Sequence, residues 1–110
     1  MTVTERMVNG HKTCHGGFIF TLADSAFAFA CNSYDQRSVA QHCSITYVAP
    51  TRLGDELFAH ATEVSRTGRS GIYDITVSTG QGAVVAFFRG HSRTIPGTLL
   101  AADRASAEAL

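Results

Sequence analysis

The segment from Gly16 to Cys31 constrains this chain more than any other part of it. It runs GGFIFTLADSAFAFAC, and Asp24 is the only Asp, Glu, Lys, Arg or His between Phe18 and Tyr34. Sixteen residues are too many for an ordinary strand, and the Leu, Ala and Phe content favours helix. A helix apolar nearly all round is expected to be buried. Its one polar stripe is Thr21, Asp24 and Ser25, continued by Ala28 at helical spacing. The alanines at 23, 26, 28 and 30 keep the helix thin enough for a sheet to close around it. Asn32, Ser33 and the loop from Tyr34 to Arg37 end it.

What flanks the helix reads as strands. Thr2 to Val8 alternates β-branched residues and is expected to be a short strand, broken by Asn9-Gly10. Val39, Gln41, Cys43, Ile45 and Tyr47 are expected to share one face of the next strand, which stops before Pro50. Further strands run from about Glu56 to Arg66, through Tyr73, Ile75 and Val77, and from Ala83 to Ile95. The last places Arg89, His91 and Arg93 on a common face. Glycine-bearing turns at Thr67 to Gly71 and Gly80 to Gly82 separate them. The expected pattern is a strand, a buried helix and an antiparallel meander of four strands, an α+β arrangement. Residues 1–97 form one domain, followed by an Ala-rich tail at 98–110.

Bulk composition excludes several classes. The chain has 110 residues, enough for one core, and its nine basic and nine acidic side chains cancel. No global field draws nucleic acid or an anionic membrane. No apolar run reaches the ~20 residues of a membrane span. The N-terminus carries Glu5 and Arg6 where a secretory signal would be apolar. Cys14, Cys31 and Cys43 lack CxxC spacing, which fits a reduced cytoplasm better than a disulfide framework.

Two features point to chemistry. A carboxylate in an apolar helix is rarely fully buried unless paired or functional, which singles out Asp24. His15-Gly16-Gly17 opens the same helix, and glycines there allow close approach to first-turn N–H groups at the positive end of the helix dipole. Gly16 and Asp24 are eight residues apart, or about 12 Å along a helix axis at 1.5 Å per residue. They can meet at one reacting carbonyl if Gly16 of one subunit faces Asp24 of the partner subunit in a two-fold dimer. A Cys14–His15 nucleophile pair lacks an orienting third group. His11, Cys14 and His15 lack a further ligand at zinc-type spacing, so no metal is expected, and dinucleotide and P-loop signatures are absent.

The segments from Asn9 to Gly17 and from Leu22 to Ala28 resemble the hotdog-fold acyl-CoA thioesterases of phenylacetate degradation (PaaI type). Ser44 to Tyr47 with Pro50, Gly54-Asp55, Gly71 to Ile75 and Val85 to Gly90 extend the similarity across most of the chain. The resemblance implies a helix wrapped by an antiparallel sheet, assembly as a dimer or a dimer of dimers (a homotetramer), and a site shared between subunits. It implies that Asp24 is the catalytic carboxylate, as general base or nucleophile, and that the Gly16 N–H polarises the thioester carbonyl. Asn9 and His15 match polar positions that orient water or the substrate sulfur, with Gly17 beside the substrate. Many relatives carry Ser or Thr where Ala40 stands here, and most begin with a further helix and strand before the position of Asn9. Arg66 and Arg69 are candidates for the coenzyme A phosphates, since arginine suits phosphate recognition. The implied reaction is hydrolysis of an aryl-acetyl-CoA to free acid and coenzyme A, with no cofactor. The rival from another class is a non-catalytic acyl-CoA-binding hotdog domain serving as a sensor or interaction module.

Overall fold

The computed structural model describes residues 1–96, so the tail at 98–110 lies outside the described residues. One helix, α1 (Gly16–Cys31), lies on a four-stranded antiparallel sheet of β1 (Ser38–Tyr47), β2 (Leu57–Thr67), β3 (Ser70–Thr79) and β4 (Val84–Thr94). The expected α+β hotdog arrangement is present.

Helix and sheet meet through one stripe. Ile19, Ala23, Phe27 and Cys31, spaced by four, are the buried helix residues. They pack on Tyr73, Ile75, Val77, Ala86 and Phe88 of the two central strands. Phe27 anchors the contact, its ring centroid 5.9 Å from that of Tyr73 and 5.8 Å from that of Phe88. Beneath it lies Gly90, where an added Cβ would sit 2.7 Å from three Phe27 ring carbons. Glycine is what lets the helix come this close.

The expected alternation in the third strand holds: Tyr73, Ile75 and Val77 are buried while Asp74, Thr76 and Ser78 are half-exposed. Arg89, His91 and Arg93 do share the outward face of β4. There Arg89 grips Asp74 with two hydrogen bonds, 2.6 and 2.8 Å.

Four expectations need correction. Thr2 to Val8 is not a strand: it holds a 3-10 turn at Glu5–Met7 between isolated bridges Thr2↔Glu56 and Val8↔Cys14. Val3 is buried in the core, and the segment pairs with other parts of the chain only near its two ends, Met7 N–H donating to the Thr4 carbonyl between them. The four strands are not a simple meander, because the order is β1-β4-β3-β2. β1 and β2 are opposite edges, so the chain from 48 to 56 crosses the end of the sheet. The face assigned to β1 also breaks, because the β1–β4 register shifts between Ala40 and His42. The bulge puts Val39 opposite outward Arg93 while Cys43 lies opposite inward Gly90. Finally, α1 is buried on one face only: Phe18 and Phe29 are 37% and 83% exposed. The sheet of one chain covers one side of a helix, and the apolar residues on the other side are left uncovered.

Tyr73 and Tyr34 both donate to Oε1 of Glu63, at 3.0 and 2.8 Å, tying the loop after the helix to β2 and β3. Burial, and then the Glu63 carboxylate, push the Tyr73 hydroxyl far above the usual tyrosine range. The fold therefore favours the protonated phenol. That stability is complete below the unfolded-chain pKa of about 10 and is lost as pH rises beyond it. Urea unfolding followed through the alkaline range should show this loss in the wild type and a flatter profile in Tyr73→Phe. A Gly90→Ala variant should lose about 1–3 kcal/mol in the same assay, since the methyl overpacks the Phe27 contact; Phe27→Leu combined with it should recover part of the loss.

Candidate active site

The helix N-terminus sits in a built pocket of backbone. Asn9 organises the loop before it: Oδ1 accepts from the N–H of His11 at 2.8 Å and from the N–H and hydroxyl of Thr13 at 3.3 and 3.1 Å. These partners are all donors, so the amide oxygen must face them. Its Nδ2 is left uncommitted among the described residues. Lys12 takes a left-handed φ of 62° to close this turn. The chain then pairs with the crossing segment, Cys14 N–H donating to the Thr51 carbonyl at 2.9 Å. His15 is the N-cap residue and offers no side-chain cap, while its N–H donates to the Met7 carbonyl at 2.7 Å. Its imidazole is exposed.

With no side-chain cap, the Gly16 and Gly17 N–H groups have no acceptor among the described residues. An added Cβ at Gly17 would meet nothing within 4 Å, so that side is open. Beside Gly16 lies a cleft of about 500 Å³ lined by Thr13, Cys14, Ile19, Tyr47 and the segment Val48 to Thr51. Such a helix start favours developing negative charge on a bound group.

Asp24 is half-buried on α1 and makes no hydrogen bond or ion pair among the described residues. Its stripe neighbours do not help it: Thr21 and Ser25 donate back to the helix carbonyls of Gly17 and Thr21, at 2.9 and 2.8 Å. Burial pushes the thiols of Cys31 and Cys43 up, and the Asp24 charge adds to the rise in both. The carboxylate is thus within electrostatic reach of Cys31 on the helix and Cys43 on β1, an acceptor without a hydrogen-bond partner among the described residues. It does not line the Gly16 cleft.

Arg66 and Arg69 are elsewhere. Arg66 stacks its guanidinium 3.7 Å from the centre of the Tyr34 ring and donates to Gln36 Oε1 at 2.9 Å. Arg69 is at the exposed β2–β3 hairpin tip. The structure thus gathers Asn9, His15, Gly16 and Gly17 at one end of α1. It leaves Asp24 midway and the two arginines beyond the other end. Among the described residues no cluster of three or more His, Cys, Asp and Glu is arranged to hold a metal ion.

Two residues of the cleft escaped the sequence reading. Tyr47 donates from its hydroxyl to the Gly16 carbonyl at 2.8 Å. Thr51 is buried at 1% exposure, and its hydroxyl has no hydrogen bond of ordinary geometry. It offsets part of the rise that burial imposes on the Cys14 thiol, so a weak contact to sulfur is the most it has. No local pattern flags either residue as part of a site; the end of β1 brings Tyr47 to the helix start, and the crossing of the 48–56 segment brings Thr51.

Comparison with known proteins agrees with this geometry. Residues 11–86 match the family described as the thioesterase superfamily. The chain is 48% identical to the acyl-coenzyme A thioesterase PaaI of Escherichia coli over 99 residues, 90% of this chain and 71% of that protein. It is 37% identical over 90 residues to a putative esterase of Archaeoglobus fulgidus, of which it spans 58%. The solved E. coli PaaI structure superposes with a TM-score of 0.87 over 89% of this chain and 71% of that one. A Streptococcus mutans protein bound to acetyl CoA superposes at 0.83 with 26% identity, over 89% of this chain and 78% of that one. With one helix on an antiparallel sheet, a glycine-opened helix start and a lone helical carboxylate already in place, the chain belongs to the thioesterase superfamily, as an acyl-CoA thioesterase of the PaaI hotdog type.

Proposed function

We propose that this chain hydrolyses an aryl-acetyl-CoA, phenylacetyl- or hydroxyphenylacetyl-CoA, at a site completed by a second copy of itself. One observation carries the reading. Among the described residues the Gly16 N–H has no acceptor and the Asp24 carboxylate no partner, and both lie on one helix, about 12 Å apart by helix rise. That is too far to touch the same carbonyl from one chain. The uncovered face of α1, with exposed Phe18 and Phe29, gives a second copy a surface to meet. An antiparallel pairing of two helices brings Asp24 of the partner subunit to each Gly16. The proposed assembly is a homodimer at minimum and a homotetramer as a dimer of dimers.

In this arrangement the thioester carbonyl sits at the helix start, its oxygen receiving the Gly16 N–H beside Gly17. Asp24 of the partner subunit activates water as a general base or attacks directly. Thiolate leaves readily, so the reaction needs an oxygen nucleophile and charge stabilisation more than a strong acid. His15 and Asn9 Nδ2 orient water or the substrate sulfur, and Arg66 and Arg69 take the coenzyme A phosphates. The E. coli relative from the phenylacetic acid degradation operon supports the aryl-acetyl class. The acetyl CoA held by the S. mutans protein supports coenzyme A as the leaving group. Among the described residues no helix is long and apolar enough to cross a membrane, and the three cysteines are free. The proposed location is the cytoplasm.

Thiol release from phenylacetyl-, hydroxyphenylacetyl-, benzoyl-, acetyl- and octanoyl-CoA tests the proposal. The aryl-acetyl thioesters should turn over fastest, and a folded Asp24→Asn variant should lose about 10²–10⁴ in rate. Binding without turnover across the panel would replace this reading with the acyl-CoA-binding module.

A further inference from the structure

Two glycines open α1, and nothing in their own side chains holds them. Glycine loses more conformational freedom on ordering than any other residue, and helix ends fray. Yet the first-turn peptides must be fixed if their N–H groups are to meet a developing charge without reorganising. The support comes from Tyr47, the last residue of β1. Its hydroxyl donates to the Gly16 carbonyl oxygen at 2.8 Å across 31 residues of sequence. Its ring covers the same residue so closely that an added Cβ on Gly16 would lie 2.8 Å from Cζ and 2.9 Å from Oη. Tyr47 and Gly16 line the same cleft.

The bonded carbonyl belongs to the peptide between Gly16 and Gly17, and the N–H of that peptide is Gly17's. We propose that Tyr47 is a positioning residue for thioester hydrolysis, holding the Gly16–Gly17 peptide and with it the helix start at which the Gly16 N–H receives the substrate carbonyl. The inference rests on the function proposed above and extends it to a residue outside the catalytic pair. A hydrogen bond accepted by one end of a peptide strengthens the donor at the other by about 10–30% in condensed phase, here the Gly17 N–H beside that of Gly16. The ring supplies a second restraint, a wall that keeps the glycine backbone from swinging into the cleft. Partial burial pushes the Tyr47 hydroxyl up, so it remains a donor throughout the neutral range.

Tyr47→Phe keeps the wall and removes the donor. On whichever panel thioester the wild-type chain hydrolyses, kcat should fall about three- to tenfold, the range expected for one net hydrogen bond. KM, the melting temperature and the midpoints of the pH–rate profile should stay where they are, which a purely structural role would not give. The Gly17 amide resonance should move in the same variant. An unchanged kcat, a loss carried by KM, or a loss matched by a fall in folded fraction overturns the inference while leaving the thioesterase reading intact. A wild-type chain that hydrolyses none of the thioesters overturns both. If Tyr47→Phe fails to fold, a fluorinated tyrosine of lowered phenol pKa at position 47 decides instead. Its kcat must decline as the phenol ionises, at pH values where the wild-type profile is flat, and a flat profile overturns the inference.

Discussion

The contact of Phe27 with the backbone at Gly90 sets the distance between helix and sheet, and the site depends on that distance. A Cβ at Gly90 would lie 2.7 Å from the Phe27 ring, and Ala23, one turn earlier, is fully buried. Interiors packed to this density do not absorb an extra methyl without moving something. What would move here is α1, which carries Gly16 at its first position and Asp24 at its ninth. Seating the helix through Ile19, Ala23, Phe27 and Cys31 turns the opposite side outward, where Phe18, Ser25 and Phe29 are exposed. The packing that stabilises the chain thus also leaves an apolar face exposed.

Much of this was legible in the residues, for definite reasons. α1 occupies the span expected of it because its apolar run is long, contains no Pro and opens on two glycines. β3 follows its alternation because one face is core and the other is not: period two is strong only where burial differs between faces. The neighbouring strands fared less well. Gln41 lies at the bulge in β1, and one extra residue reverses which side chains face inward. The pairing of β1 with β4 is a long-range choice that no local pattern records. Thr2 to Val8 has strand-like composition, but it bridges to other segments only near its ends and turns on itself between them.

The site divides in the same way. Gly16, Gly17 and Asp24 stood out because residue type conflicts with surroundings: glycines at a helix start, a charge in an apolar run. Tyr47 and Thr51 carry no such conflict. They reach the helix start because β1 ends beside it at Tyr47 and the chain from 48 to 56 then runs past it on the way to the opposite edge of the sheet. Topology made that neighbourhood. Arg66 shows the converse, since its arginine chemistry was visible while its stacking on Tyr34, beyond the far end of α1, was not.

Asp24 is a half-buried carboxylate without a partner among the described residues, and the proposed partner is a substrate carried by another chain. A crystal structure of the Asp24→Asn protein with a non-hydrolysable ketone analogue of phenylacetyl-CoA, a methylene separating carbonyl from sulfur, tests this most directly. The carbonyl oxygen is expected about 3 Å from the Gly16 N–H of one chain, with residue 24 of the partner subunit facing the carbonyl carbon. A carbonyl contacted by both positions from a single chain, or bound away from the start of α1, would contradict it.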